Sequence, residues 1–290
     1  LYIKYIKIIE ILSIFCKNIL YFKNVCYIKD MNLENTITNL KKKKIVFEFP
    51  YTKNFDVFKI KNFLDEDTYK FIERNFPILK KEKYKESFLK YYISSDQSEY
   101  KDLLNKNENF KKINDFFKNK FFSNFFLKKL FFKIIKARLD DSLHLKRMFK
   151  IQNFGNVKKS FFVSNLETKI EYSFLSNNAV INPHTDAIKK MISLMLYFPD
   201  ENSYLNLDDQ KKFGTNFWSS KIKNLQNKHI NQEYDIEKFM NNNEIVYKTN
   251  FEKYHLYGFV RNSLSWHSVD KIQADSKYLR RSININIFFI

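Results

Sequence analysis

Alternating apolar and polar positions dominate the second half of the chain and predict strands over most of 145–290. The clearest pattern is RRSININIFFI at 280–290. Successive side chains of a strand point to opposite faces. One face would carry Arg280, Ser282, Asn284 and Asn286, and the other Arg281, Ile283, Ile285 and Ile287. A further strand is predicted over KMISLMLYFP at 190–199.

The first half of the chain is predicted to contain strands followed by helices. Residues 45–60 read as one or two strands, punctuated by Pro50. Asp65 is a candidate N-cap for a helix that runs to about Asn75 and ends before Pro77. Apolar residues then recur at three- and four-residue steps through 98–140, which predicts helices packed on a sheet. The polar stretch 219–243 reads as an insertion, and the whole pattern predicts the α+β class.

Composition adds little that is specific to function. The net charge is +19 over 290 residues, but the basic residues are scattered and the one compact run, at 41–44, is short. With no nucleic-acid motif, a solvated charged surface is the preferred interpretation over a nucleic-acid partner. The two cysteines, Cys16 and Cys26, exclude a disulfide framework and favour a reducing cytoplasm.

Residues 1–30 are predicted to be an N-terminal extension. Lysines interrupt their apolar pattern, so no transmembrane segment is expected. The segment could be an amphipathic surface helix, the start of a fragment, or translated sequence upstream of a start at Met31, and the last is preferred. Residues 31–144 would then pack on a core formed by 145–290, as one globular unit.

Three residues have the chemistry of a metal site. His184 and Asp186, two apart in a predicted strand, share a face, and a distant His267 can complete a facial set of ligands. Two histidines and one carboxylate with open positions are typical of non-haem Fe(II) oxygenases. Zinc accepts the same three ligands, so they leave the metal undecided.

Arg280 helps to decide between iron and zinc, because it suggests an anionic cosubstrate beside the metal. A guanidinium binds a carboxylate through two hydrogen bonds, which suits the distal carboxylate of 2-oxoglutarate, and Ser282 can add a third bond. Arg281 is the alternative anchor if the strand register differs by one residue. Tyr172, on the strand before the His-x-Asp pair, is a further candidate cosubstrate ligand, although core packing is the preferred role.

Together, His184-Thr185-Asp186, His267 and Arg280-x-Ser282 resemble the 2-oxoglutarate- and Fe(II)-dependent dioxygenase superfamily, in its prolyl-4-hydroxylase-like branch. The segments at 190–199, 214–218 (GTNFW) and 259–269 (FVRNSLSWHSV) agree with it. The similarity covers about 170–290 well and reaches about residue 45 more weakly. It departs at Asn177-Asn178, where relatives often have Gly, and in the single Gly of 214–218.

The resemblance implies a double-stranded β-helix, or jelly roll, backed by N-terminal helices. It also implies Fe(II), 2-oxoglutarate as cosubstrate, O2, and hydroxylation of a small molecule or a peptidyl side chain with release of succinate and CO2. The alternative is a catalytically silent metal-binding jelly-roll protein. The sequence identifies neither the substrate nor the oligomeric state. Structural roles are expected for His144, His229 and His255, core positions for Trp218 and Trp266, and a place near the substrate for Asn262.

Overall fold

The fold is built from two antiparallel sheets and a group of helices. A computed structural model describes residues 44–47, 55–79, 90–140, 166–201, 205–222 and 233–289. The strands are β1 Val46–Phe47, β2 Val57–Ile60, β3 Lys90–Ser94, β4 Leu166–Leu175, β5 Ile181–His184, β6 Lys190–Phe198, β7 Asn216–Ser219, β8 Glu244–Lys248, β9 Leu256–Val260, β10 His267–Val269 and β11 Arg280–Phe289. The helices are α1 Glu66–Arg74, α2 Ser98–Lys106, α3 Glu108–Lys118, α4 Lys120–Asp140, α5 Leu207–Gln210 and α6 Glu233–Asn241, with a 3-10 turn at Lys211–Phe213.

The chain passes repeatedly between the two sheets. The large sheet has seven strands in the order β1-β2-β9-β6-β11-β4-β3, and the small sheet has four in the order β5-β10-β7-β8. From β4 onward, β4, β6, β9 and β11 enter the large sheet, while β5, β7, β8 and β10 enter the small one. Strands that are far apart in sequence, such as β5 and β10, therefore become neighbours.

The main apolar core lies between the helices and one face of the large sheet. Ile283, Ile285 and Ile287 of β11 are fully buried there among the phenylalanines of α3 and α4. A second apolar cluster lies between the sheets and includes Tyr197, Phe217 and Phe259. The helix-side face of β11 is therefore apolar, as its alternating pattern predicted.

Asparagines divide the predicted helical region into three helices. The Asn107 side chain accepts a hydrogen bond from Phe110 N at 3.0 Å and begins α3. The Asn119 side chain accepts from Phe121 N at 2.8 Å at the start of α4. Asn competes locally for backbone groups, which favours caps over helix interiors. The apolar period alone did not reveal these two breaks.

Most predicted elements are confirmed, with differences at particular residues. Asp65 caps α1 by accepting from Thr68 N at 2.8 Å. The strands predicted at 190–199 and 280–290 correspond to β6 and β11. Asn178 has φ 65°, the left-handed backbone that Asn tolerates in place of Gly. Helix α6 lies inside the predicted insertion.

The class is α+β, with helices beside antiparallel sheets. Residues 1–30, His144 and His229 lie outside the described residues. Within the part of the chain that the structure describes, no helix has the length and apolar character needed to cross a membrane.

Candidate active site

Pairing of two short strands brings the two histidines together. His184 ends β5, His267 begins β10, and the two residues are direct partners in the antiparallel register. Their ring centroids lie 4.2 Å apart. Asp186 joins them from the turn after β5, and one ligand atom from each of the three residues lies within 4.8 Å of the other two. One metal ion can therefore be held by all three.

The local backbone differs from the sequence prediction. Strand β5 ends at His184, so Asp186 lies in a turn and not two residues along a continuous strand. The 4.8 Å span is also wider than the separation of about 3–4 Å that the ligand atoms of one ion have at ordinary bond lengths. The Asp186 carboxylate is held by Lys190 Nζ at 2.6 Å and Ser193 Oγ at 2.5 Å, and both bonds come from β6.

Backbone carbonyls set the orientation of both imidazoles. His184 Nδ1 lies 2.9 Å from Asn182 O, and His267 Nδ1 lies 3.0 Å from Ser265 O. A carbonyl only accepts hydrogen bonds, so each Nδ1 must carry the proton and donate it. The lone pair of each neutral ring is then on Nε2. Such outer hydrogen bonds fix the tautomer and orientation of metal-binding histidines.

Asp186 is an ionised carboxylate in a largely buried position, with 11% of its side chain exposed. Burial raises the pKa of Asp186, but the charge of Lys190 and the hydrogen bond from its ammonium lower it by more, so the pKa falls well below its usual range. The group is therefore negatively charged at neutral pH, as a metal-binding carboxylate must be.

Two buried arginines hold the turn that carries Asp186. Arg261 Nε donates to Asp186 O at 3.0 Å. Arg138, near the end of α4, donates to Ile188 O at 2.7 Å and to Lys190 O at 2.6 Å. Hydrogen bonds from charged donors are stronger than neutral ones. The turn is thus fixed from the side of the core.

A cavity of about 440 Å³ lies beside these ligands. It is lined by all three of them and by the polar face of β11. The β11 residues in the lining are Arg280, Ser282, Asn284, Asn286 and Phe288. The prediction that the first four share one face is confirmed, and this face is the one towards the metal ligands.

Arg280 is a buried cation in this cavity, with only 3% of its surface exposed. Its Nε donates to Phe213 O at 2.7 Å, and Nη1 donates to Ser282 Oγ at 3.3 Å. The guanidinium carbon lies 4.9 Å from the ring centroid of Phe251. Across the described ranges, no carboxylate forms an ion pair with Arg280.

Burial lowers the pKa of Arg280. A guanidinium nevertheless remains charged at neutral pH, since its unperturbed pKa is so high. A buried charge is costly unless it is paired. An anionic group bound in the cavity would supply the missing partner.

The turn at Gly214 explains how Phe213 O reaches Arg280. A Cβ on Gly214 would come 1.7 Å from Thr249 O, so any side chain here would displace the backbone. The close approach is reinforced by Thr215 N, which donates to Thr249 Oγ1 at 2.7 Å. The Gly-Thr pair of the sequence is therefore a packing requirement beside the candidate anchor.

The structure places other candidate residues away from the cavity. Tyr172 is fully buried in the main core, with its ring 5.1 Å from that of Phe76, which fits the preferred core role, and it is not among the residues that line the cavity. Arg281 lies on the opposite face of β11 beside Glu73. Trp218 and Trp266 pack with Phe239 in a separate cluster.

Two more candidates, Asn262 and His255, form hydrogen bonds with backbone groups. The Asn262 side chain accepts from Leu264 N at 2.9 Å and closes the loop before β10. His255 Nδ1 accepts from Asn62 N at 3.0 Å. Neither residue belongs to the cavity lining.

Sequence reasoning missed the residues that support the ligands. Ser193 and Lys190 of β6 were treated only as part of a strand, and Arg138 only as part of a helical pattern. A single polar residue inside an otherwise apolar strand was a usable signal for Ser193. Arg138 and Arg261 carried no such signal, because their partners are backbone carbonyls distant in sequence.

Comparison with known proteins gives only distant similarities. No protein-family model and no curated protein matches the sequence. Among solved structures, it aligns with a Pseudomonas putida prolyl-4-hydroxylase at 10% identity, with a TM-score of 0.37, over 90% of this chain and 100% of that one. The non-heme alpha-ketoglutarate-dependent epimerase SnoN from nogalamycin biosynthesis gives 9% identity and a TM-score of 0.42, over 89% and 83%.

The Fe(II)/alpha-ketoglutarate-dependent dioxygenase TqaL gives 8% identity and a TM-score of 0.42, over 91% of this chain and 92% of that one. These similarities are too low to carry an assignment. The chain resembles the 2-oxoglutarate- and Fe(II)-dependent dioxygenases through its motifs and through the convergence of their residues on one cavity. Its donor set of two imidazoles and a carboxylate fits Fe(II), and Arg280 fits a cosubstrate carboxylate.

Proposed function

We propose that this protein is an Fe(II)- and 2-oxoglutarate-dependent dioxygenase that hydroxylates a small molecule or a peptidyl side chain. The observation that supports this most directly is the pairing of two features in one cavity. A two-histidine, one-carboxylate cluster lies there with a buried arginine that has no carboxylate partner among the described residues. A metal site alone would also suit zinc, whereas the buried charge of Arg280 favours an anionic group beside it.

Each residue has a defined task in this proposal. His184 and His267 bind the metal through Nε2, and Asp186 binds it through a carboxylate oxygen. Arg280 and Ser282 hold the distal carboxylate of 2-oxoglutarate and so orient its other end towards the metal. When bound, Fe(II) with 2-oxoglutarate and O2 supplies the oxidation of an unactivated C–H bond, with release of succinate and CO2. The aromatic rings around Arg280 exclude water and strengthen its electrostatic contacts.

The proposal extends to the architecture. We interpret the alternation of β4–β11 between the two sheets as a double-stranded β-helix, with 31–144 packed on 145–290 in one globular unit. The cytoplasm remains the proposed compartment, on cysteine content alone.

The test is an anaerobic titration of the purified protein with Fe(II) and 2-oxoglutarate. Direct chelation of iron by the cosubstrate is expected to give a weak visible charge-transfer band. His184→Ala and Asp186→Ala should abolish the band, because each removes a ligand. His255→Ala is the matched control, since it removes a histidine outside the cavity and should keep the band. Unchanged Fe(II) affinity in both ligand variants would contradict the metal site.

A further inference from the structure

The cavity continues beyond the metal ligands along the large sheet. Asn286 pairs with Ser193 of β6 on one side and with Lys169 of β4 on the other. Adjacent strands lie about 4.8 Å apart, so Asn286 is one strand away from the serine that holds Asp186. Arg280 is at the opposite end of β11. We call the region of Lys169, Glu171, Asn284 and Asn286 the outer end of the cavity; all four residues line it.

Asn286 is a polar side chain directed into this space. It is 8% exposed, and its amide has no hydrogen-bond partner within the described residues. Nearly all buried polar groups in proteins are hydrogen-bonded. An amide presents two donors and one acceptor, so it fits a ligand with its own polar groups. An apolar ligand would leave it unsatisfied.

Glu171 gives the outer end a negative charge. It accepts a hydrogen bond from Asn284 at 3.0 Å, and in the described part of the chain no lysine or arginine pairs with it. Its neighbour Lys169 is already engaged by Asp96 at 2.8 Å and Glu167 at 3.6 Å. In a chain with 51 basic and 32 acidic residues, a cavity carboxylate without a cation is notable. It retains capacity for further donors.

We infer that the outer end is the substrate site and that the substrate is a small polar molecule with a primary ammonium group. Glu171 binds the ammonium, and the Asn286 amide, one strand from the serine that holds Asp186, binds a neighbouring polar group. This inference rests on the proposed function, because the metal and cosubstrate define the other end of the cavity. An apolar or anionic substrate would displace water from Glu171 and Asn286 without replacing the hydrogen bonds that the water made, which would weaken binding.

The test measures binding by calorimetry to protein loaded with Fe(II) and 2-oxoglutarate under nitrogen. The probes are L-alanine, L-glutamine, ethanolamine and D-glucosamine, each compared with its N-acetyl derivative. At least one amine should bind at least about ten-fold more tightly than its acetylated form, because acetylation removes the charge that Glu171 recognises. The same amine should stimulate succinate release in air.

Glu171→Gln should weaken binding of that amine by about ten- to a hundred-fold, the range for a lost charged hydrogen bond. It should leave the acetylated probe and the charge-transfer band unchanged. Glu244→Gln is the control: it removes the same charge from an exposed strand position outside the cavity lining. It should have little effect.

Failure of every amine to bind, or equal binding of amines and acetylated probes, would overturn the inference. So would equal effects of the two glutamine variants. If the charge-transfer band is present in any of these cases, the proposed function stands and only the substrate class is wrong. If the band is absent from the wild-type protein, the proposed function itself fails.

Discussion

At the scale of single residues, Arg280 and Arg281 have opposite surroundings. Arg280 points into the cavity beside the rings of Tyr197 and Phe251. Arg281 points to the helix side, where its Nη2 lies 3.5 Å from Glu73 Oε1. The difference follows from strand alternation alone. Two identical side chains in succession therefore provide an internal control for the cosubstrate anchor.

Arg280→Ala is expected to weaken 2-oxoglutarate binding by about ten- to a hundred-fold, because a charge-assisted contact contributes roughly 1.5–3 kcal/mol. Arg280→Lys keeps the charge but loses the bidentate contact, so its affinity for 2-oxoglutarate should lie between those of the alanine variant and the wild type. The measurement is the 2-oxoglutarate concentration that half-saturates the charge-transfer band. Fe(II) affinity should be retained, since no ligand is removed.

Arg281→Ala should leave that concentration nearly unchanged, because its side chain is on the other face of β11. A large effect of Arg281→Ala with none of Arg280→Ala would show that the anchor is on the helix side. No effect of either variant would remove the main support for 2-oxoglutarate as cosubstrate.

At the scale of elements, helix α4 is connected to the ligand turn through one side chain. Arg138 donates to the carbonyl of Ile188, in the turn after Asp186, and to that of Lys190, the first residue of β6. The helix otherwise contributes apolar packing to the main core. Packing of α4 thus helps to set the backbone from which Asp186 and Lys190 project.

Arg138→Met keeps the apolar stem and removes both hydrogen bonds. We expect the free energy of unfolding to fall by about 1–3 kcal/mol, since two carbonyls lose a charged donor. Fe(II) affinity should also fall, by roughly ten-fold or more, as for other outer contacts of metal ligands. Chemical denaturation and Fe(II) titration measure the two effects separately.

Lys136→Met is the control, because Lys136 is exposed on the same helix. It should change neither quantity by much. A loss of stability in Arg138→Met with unchanged Fe(II) affinity would show that Arg138 supports the fold without positioning the ligands.

At the scale of the whole molecule, a partly buried charge network lies outside the candidate site. Lys59 of β2 binds Glu252 at 2.5 Å, and Tyr257 of β9 donates to the same carboxylate. Burial raises the pKa of Glu252, but the hydrogen bonds from Lys59 and Tyr257 outweigh burial and lower it below its ordinary 4.5. The network joins strands β2 and β9 of the large sheet to the segment between β8 and β9.

A pKa that is lower in the folded than in the unfolded protein means that the carboxylate stabilises the fold above about pH 4.5. The contribution is lost as the pH falls through the folded-state pKa. Glu252→Gln should therefore lower the free energy of unfolding by about 1–3 kcal/mol at pH 7, and by much less near pH 3. Urea denaturation at both values tests this.

Glu201→Gln is the matched control, because the Glu201 side chain is 61% exposed in its ion pair with Lys253. Its effect should be small at either pH. A pH-independent effect of Glu252→Gln would show that the hydrogen bonds, and not the charge, provide the stabilisation.

The local pattern of the chain determined its strands and the faces of those strands. Alternation in 280–290 was enough to place Arg280 and Ser282 opposite Arg281, and the order of His184, Asp186, His267 and Arg280 indicated one site. A period of two is a property of the backbone, so it can be read without knowing the neighbours of the strand. The capping role of Asp65 could be predicted for the same reason.

Tertiary structure alone decided which residues surround that site. The pairing of β5 with β10 brings the histidines together. Helix α4 ends beside the turn before β6, which places Arg138 next to the carbonyls of Ile188 and Lys190. These contacts join residues that are far apart in the sequence, and no local pattern indicates that they will meet. Several of the contacts use backbone carbonyls, which every residue has. The core position of Tyr172, the turn at Asp186 and the outer end of the cavity depend in the same way on strand order, which is fixed by packing of the whole chain.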